Sequence, residues 1–326
     1  MRLLVTGGAG FIGSHYVRTL LDGGFGERPD ADTHVTVLDL LTYAGNRANL
    51  PAHHPRMEFV RGDIGDLSLL LALLPGHDAV VHFAAETHVD RSLAPDAAPE
   101  FVRTNVLGTQ TLLDACLRTG VGRMVQISTD EVYGSIAHGA WTEEQPPAPR
   151  SPYAASKAGA DLLVLACHHT HGLNVSITRC CNNYGPYQHP EKLIPRFVTR
   201  LLEGRELPLY GDGCHVREWL HVDDHCRAVH RVLHRGRAGE IYHVGGGSPR
   251  TNLALTGQLL RLCGAEWSSV RRVSDRKGHD RRYALDATKI RTELGHAPRT
   301  GFDRGLADTV AWYRDHPDWW KETAHR

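Results

Sequence analysis

Along the first 180 residues the apolar positions change period again and again. Short unbroken apolar runs alternate with longer segments whose apolar residues recur every three or four positions. The runs "RLLVT" (2–6), "HVTVLD" (34–39), "MEFVRGD" (57–63), "DAVVHFAA" (78–85), "RMVQIS" (123–128) and "NVSITRC" (174–180) read as buried strands. Between them, "FIGSHYVRTLL" (11–21), "LSLLLALL" (67–74), "PEFVRTNVLGTQTLLDACLRTG" (99–120) and "SPYAASKAGADLLVLACHHTHG" (151–172) have helical spacing. The last opens with an N-cap Ser151 and first-turn Pro152 and closes on Gly172. The segment ending at Gly120 reads as one long helix. Strands alternating with helices of this length predict a parallel sheet covered on both faces.

After about residue 180 the rhythm breaks. Pro and Gly become denser in "NNYGPYQHPEKLIPRF" (182–197) and "LPLYGDGCHVREW" (207–219), while "HVDDHCRAVHRVL" (221–233) and "GEIYHVGGG" (239–247) read as returns to the main sheet. The expected fold is α/β: a doubly wound, Rossmann-type parallel sheet built mainly from residues 1–180, with returning segments near 218–247. A smaller, interleaved α/β substrate-binding lobe is expected mainly over 181–326.

Composition narrows the class. The chain has 326 residues, 41% hydrophobic and 23% charged, and no apolar run approaches membrane length. "MRLLVTGGAG" goes directly into a strand and a glycine turn, without a secretory apolar region and cleavage site, so the expected location is the cytoplasm. Formal net charge is zero, so no global basic field invites nucleic acid. The seven cysteines have no CxxC spacing and read as reduced structural thiols. Among 22 histidines, His168 and His169 are adjacent and cannot share a helix face, and no HExxH is present. No metal is expected.

The turn "VTGGAGFIG" places Gly7, Gly10 and Gly13 between the first strand and first helix, with Gly8 completing a GxGxxG pattern. Glycines there let the backbone approach a pyrophosphate at a helix N-terminus. The second strand ends in Asp39, an acid suited to a ribose 2′-hydroxyl and repulsive to a 2′-phosphate, which favours NAD over NADP. The long interval from Gly13 to Asp39 is read as a surface insertion over 23–32. Asp63, after the third strand, is placed to contact adenine, and the small Ala84 and Ala85, after the fourth, border the cofactor.

Two further motifs carry reactive groups. "YAASK" puts Tyr153 and Lys157 four apart on one helix face. A nearby ammonium and a cationic nicotinamide would lower the phenol from its usual value of about 10 and make it a base for an alcohol proton. "STDEVYG" (128–134) leaves the fifth strand through Thr129, Asp130 and Glu131. Buried carboxylates are costly unless paired or used, which marks this stretch as a site.

With these residues in place, the chain resembles the extended short-chain dehydrogenases/reductases, and within them the nucleotide-sugar 4,6-dehydratases of the dTDP-glucose type. The resemblance runs over nearly the whole chain through "GGAGFIGSH", "LTYAGN", "FAAETHVDRS", "STDEVYG", "SPYAASKA", "NNYGPYQHPEKLIP" and "DRKGHDRRYALD". It implies bound NAD, held additionally by Phe11, Ile12, Thr42, Ile64, Phe83, Thr104 and Asn183. It implies oxidation of the hexose at carbon 4 with Thr129, Tyr153 and Lys157, and removal of the carbon 5 proton by Glu131. Asp130 then protonates the hydroxyl leaving carbon 6, and hydride returns to carbon 6. To the substrate, dTDP-glucose, it assigns Thr87, Thr129, Asn182, Lys192, Leu193, Pro208, Tyr210, Arg217 and Asn252, with Asp275, Arg276 and His279 of "DRKGH". Arg217 and Arg276 are read as a diphosphate clamp. It also implies a homodimer paired through the 99–119 and 152–171 helices. Two other readings stand beside this one: a nucleotide-sugar 4-epimerase on the same fold, which lacks the acid pair, and a non-catalytic NAD-binding regulator, which has no need of Tyr153, Lys157 and the acids together.

Overall fold

The computed structural model describes residues 1–26 and 32–324. Residues 27–31 of the surface insertion read from the sequence lie outside the described residues.

Seven parallel strands form the main sheet: β1 (Arg2–Thr6), β2 (His34–Asp39), β3 (Met57–Arg61), β4 (Ala79–His82), β5 (Arg123–Thr129), β6 (Val175–Cys180) and, arriving late in the chain, β10 (Glu240–Val244). Their spatial order is β10-β6-β5-β4-β1-β2-β3. The order reverses beside β1, so the crevice over β1 and β4 is the switch point where ligands bind in such sheets. Register aligns the carboxyl ends: Thr6 pairs with His82, Asp39 with Arg61, and Thr129 with Cys180. Every chain exit carrying a candidate residue therefore opens on one edge.

Alternation along the strands feeds two cores. Leu3 and Val5 pack with Tyr16, Val17 and Leu20 of the Phe11–Leu21 helix and with Val229 and Val232 of the Val222–Arg235 helix. Leu4, between them, faces Leu70, Leu112 and Val164 of the helices on the opposite side. The remaining strands make two small sheets. β7 (Asn182–Tyr184) runs parallel to β9 (Val216–His221), which pairs antiparallel with β11 (Pro249–Thr251). β8 (Leu207–Tyr210) runs parallel to β12 (Val270–Val273). A third core, including Phe197, Trp219, Leu259 and Phe302, lies beneath them. Among the described residues no helix is long and apolar enough to cross a membrane.

One element departs from the sequence reading. The segment taken as a uniform helix is α-helical over Ala98–Phe101, π-helical over Val102–Gly108 and α-helical again over Thr109–Thr119, ending on left-handed Gly120. A side chain explains the wider turn: Asn105 points inward and makes two 2.9 Å hydrogen bonds, accepting from the Glu86 amide and donating to the Glu86 carbonyl. π-Turns of this kind cluster at functional sites.

Candidate active site

One cleft of about 460 Å³ opens at the carboxyl edge of the main sheet. At one end the glycine turn leaves β1. Gly7 has φ +67°, and a Cβ there would collide with the Ala84 backbone, while one on Gly13 would strike the Gly7 carbonyl. The Phe11–Leu21 helix starts at Gly10 with no side-chain cap, so its first amides are free to meet an anion. Asp39 closes this end, accepting from the amides of Ala9 (2.9 Å) and Leu41 (2.8 Å). Burial pushes its carboxyl up and those amides oppose the rise. A backbone cradle that side chains would fill, an uncapped helix start and an acid at the second strand end fit a dinucleotide such as NAD. Phe11, Ile12, Thr42, Asp63, Ile64, Phe83, Ala85, Thr104 and Asn183 line the same cleft, with Tyr153 and Lys157 deeper in.

The reactive groups converge where β5 and the Pro152–His171 helix meet. Ser151 caps that helix, accepting from the Ala154 amide at 3.1 Å, and this fixes its first turn. Tyr153 and Lys157 are both buried. The Lys157 ammonium donates to the Ile127 carbonyl at 2.7 Å. Burial lowers its pKa, and Asp161, one turn further on, opposes this. Asp161 is itself held by Ser128 Oγ and by Arg179 Nε, each at 2.9 Å.

Tyr153 faces the acid pair. Its phenol is pushed well above its ordinary pKa, first by burial and then by Glu131, Cys180 and Asp130, with the Thr129 hydroxyl opposing. The two carboxyls and burial favour the neutral phenol, and a cationic nicotinamide bound beside it would act the other way.

The acid pair is asymmetric. Asp130 is 2% exposed, accepts from Thr129 Oγ1 at 3.3 Å, and has no hydrogen-bond partner for Oδ2 among the described residues. Burial, then Glu131 and Glu218, raise it well above the carboxylate range, and Arg217 opposes. Burial also raises Glu131, but three cations, Arg276, Arg217 and Lys192, pull the other way. Two adjacent carboxyls thus face different fields. Asp130 is the one disposed to hold a proton and Glu131 the one disposed to accept it.

Of the residues expected at the substrate, Thr87, Thr129, Asn182, Lys192 and Leu193 line the cleft. Lys192 Nζ donates to Thr87, 3.1 Å from its carbonyl and 3.4 Å from Oγ1. Pro208, Tyr210, Arg217, Asn252, Asp275, Arg276 and His279 are not among its lining residues. Most of them meet one another instead. Arg276 (3.1 Å) and Tyr210 (3.4 Å) both donate to Asp90, and Asp275 is gripped by His279 at 2.7 Å and His215 at 3.4 Å. The two imidazole rings stack at 3.6 Å. Arg217 donates to the carbonyls of Val216 and Asp280 and lies 4.3 Å from the centre of the Tyr283 ring. Both members of the expected arginine clamp are therefore held by protein groups in this structure.

The cleft also contains side chains that sequence reading passed over. Glu86, Gln188, His189 and Glu191 line it. Glu191 accepts from Tyr43 at 3.0 Å. Glu86 and Glu191 lie inside quoted motifs, beside Thr87 and Lys192, and only that adjacency could have flagged them.

The family model described as GDP-mannose 4,6 dehydratase matches residues 4–309. A dTDP-glucose 4,6-dehydratase of Streptomyces niveus is 60% identical over 98% of this chain and 95% of its own length. A crystal structure of a dTDP-glucose 4,6-dehydratase from Streptomyces venezuelae with NAD bound superposes with a TM-score of 0.97 at 64% identity, covering 99% of this chain and 100% of the other. A UDP-glucose 4-epimerase from Thermotoga maritima shares the fold at TM-score 0.88 but only 31% identity, over 97% and 99% of the two chains.

Proposed function

The chain belongs to the dTDP-glucose 4,6-dehydratase family, within the broader GDP-mannose 4,6 dehydratase family, and we propose the following division of labour for its residues in converting dTDP-glucose to dTDP-4-keto-6-deoxyglucose and water. It is an NAD-dependent enzyme. The epimerase reading gives way, because the full-length relative at 60% identity is a dehydratase while the epimerase reported above stands at 31%.

NAD, when bound, supplies reversible two-electron acceptance. Gly7, Gly10 and Gly13 hold its diphosphate against the helix start and Asp39 holds a ribose. Tyr153, as the phenolate that the Lys157 ammonium and a bound cationic nicotinamide would favour, takes the proton of the carbon 4 hydroxyl, with Thr129 bonding the same oxygen. The 4-ketone makes the carbon 5 proton acidic, and Glu131 removes it. Asp130, carrying a proton, releases it to the carbon 6 oxygen, which leaves as water; the hydride removed from carbon 4 then returns to carbon 6 and carbon 5 is reprotonated, giving the 6-deoxy ketone. Lys192, Thr87 and Asn182 orient the hexose. Pro208, Tyr210, Arg217, Asn252, Asp275, Arg276 and His279 border the nucleotide and its diphosphate; Arg276 pairs with Asp90 through one terminal nitrogen, and its Nε has no partner among the described residues. The observation supporting this assignment best is the unequal field on Asp130 and Glu131.

The test is one incubation. The protein as purified, with no NAD added, should convert dTDP-glucose to a product lighter by one water, because the reaction ends with NAD oxidised and need never release it. An unchanged product mass would point to epimerisation. Activity only on adding NAD would remove the prosthetic role.

We further propose a homodimer. Val102, Leu107 and Leu162 are 47%, 59% and 56% exposed on two neighbouring helices of the Ala98–Thr119 and Pro152–His171 segments. Packing these against the same face of a second copy would bury them. Sedimentation at micromolar concentration should give twice the chain mass, and Leu107→Glu with Leu162→Glu should shift the species to monomer. A monomeric unaltered protein would overturn this. The cytoplasm is the proposed location, since the cysteines are all unpaired and five of the seven are buried.

A further inference from the structure

Glu86 is the first residue after the two alanines that border the glycine turn. It lines the cleft and is 3% exposed, and its Oε2 has no hydrogen-bond partner among the described residues. Its backbone is held firmly. The two hydrogen bonds to Asn105 lock both its amide and its carbonyl. Asn105 Nδ2 also donates to Ser156 Oγ at 2.8 Å, and Ser156 donates to the Tyr153 carbonyl at 2.7 Å. The π-turn at 102–108 thus ties Glu86 to the helix carrying Tyr153. A fixed backbone presenting a carboxyl with an orphan oxygen is costly unless a ligand completes it.

The surroundings indicate which ligand. The charges acting on this carboxyl come from Glu100, Arg91, Glu191 and Lys192, and none lies on the glycine turn. The next residue, Thr87, is bonded to Lys192. On the dehydratase reading above, the carbon 4 hydroxyl faces Tyr153 and Thr129, and the carbon 6 hydroxyl faces Asp130. The hexose then has two further hydroxyls, at carbons 2 and 3, which the reaction leaves in place. We propose that Glu86 is a specificity-determining residue that binds one of these two hydroxyls and so sets which face of the ring meets Tyr153.

The test is a cycle of substrate and side-chain deletions. The unaltered enzyme should use one of dTDP-2-deoxyglucose and dTDP-3-deoxyglucose about 10- to 100-fold less efficiently than dTDP-glucose in kcat/KM, the scale of one hydrogen bond to a charged group. Glu86→Ala should lose a similar factor on dTDP-glucose and nothing further on that analogue, because the bond is already gone. Glu86→Gln keeps the shape with a weaker acceptor and should narrow the same discrimination, so the cycle can be read even if the alanine variant does not fold. Undiminished discrimination in both variants overturns the assignment, as does loss of bound NAD with discrimination intact. An unaltered chain that leaves dTDP-glucose undehydrated overturns the dehydratase reading and this one together. Additive losses in a working dehydratase overturn this one alone.

Discussion

The Asp130→Asn, Glu131→Gln double variant is expected to oxidise dTDP-glucose and then stop. The amides keep the shape of the acids, and the asparagine retains an acceptor for the Thr129 hydroxyl, 3.3 Å away in the unaltered chain. Neither amide exchanges a proton at neutral pH. General acid and base groups each contribute about 10²- to 10⁴-fold, so elimination should become very slow. Tyr153, Thr129 and Lys157 are untouched. The variant should therefore accumulate enzyme-bound reduced nicotinamide and a 4-keto sugar that still has its carbon 6 hydroxyl. Single variants separate the two roles. Asp130→Asn keeps the base and should still take solvent deuterium into carbon 5, whereas Glu131→Gln should not. Release of dehydrated product from the double variant at a near-normal rate would mean that the pair is structural.

Tyr153→Phe is expected to lower carbon 4 oxidation by about 10²- to 10⁴-fold while NAD stays bound. The ring remains in its place, edge-on to Phe101 with centroids 6.4 Å apart, and the glycine turn and Asp39 are unaffected. Only the proton acceptor is lost. NAD content of the purified variant, read beside its turnover, distinguishes this from misfolding. Near-normal turnover would take Tyr153 out of the chemistry. In the unaltered chain the phenol starts above its ordinary pKa, so oxidation should weaken as pH falls. Glu131 protonates in the same direction, and both limbs favour neutral to alkaline conditions until Asp130 loses its proton.

The inner strands of the main sheet were legible because a buried parallel strand is a short apolar run ended by a turn, and such runs are visible locally; β3, at the edge, is not buried. The Pro152–His171 helix was legible for the same kind of reason: Ser151 and Gly172 are local stop signs at its two ends. The π-turn at 102–108 was not, because its cause lies in Asn105 reaching a backbone nineteen residues away. Glu86 and Glu191 have no periodicity that would separate them from solvated surface acids. Only folding shows that the first is buried and the second bonded to Tyr43.

The sequence by itself determined the order of strands and helices, the glycine turn with its acid, and the reactive groups on offer: one phenol, one ammonium, one hydroxyl and two adjacent carboxyls. These follow from residue identity and spacing along the chain, which are local properties. The tertiary structure alone decided how those groups are charged. It buried Tyr153 facing the two carboxyls, set Arg276, Arg217 and Lys192 against the rise of Glu131, and left Asp130 buried beside Glu218. It also bound Arg276 to Asp90 and Arg217 to two carbonyls. Burial and charge–charge distance set these outcomes, and both depend on which distant segments meet in space.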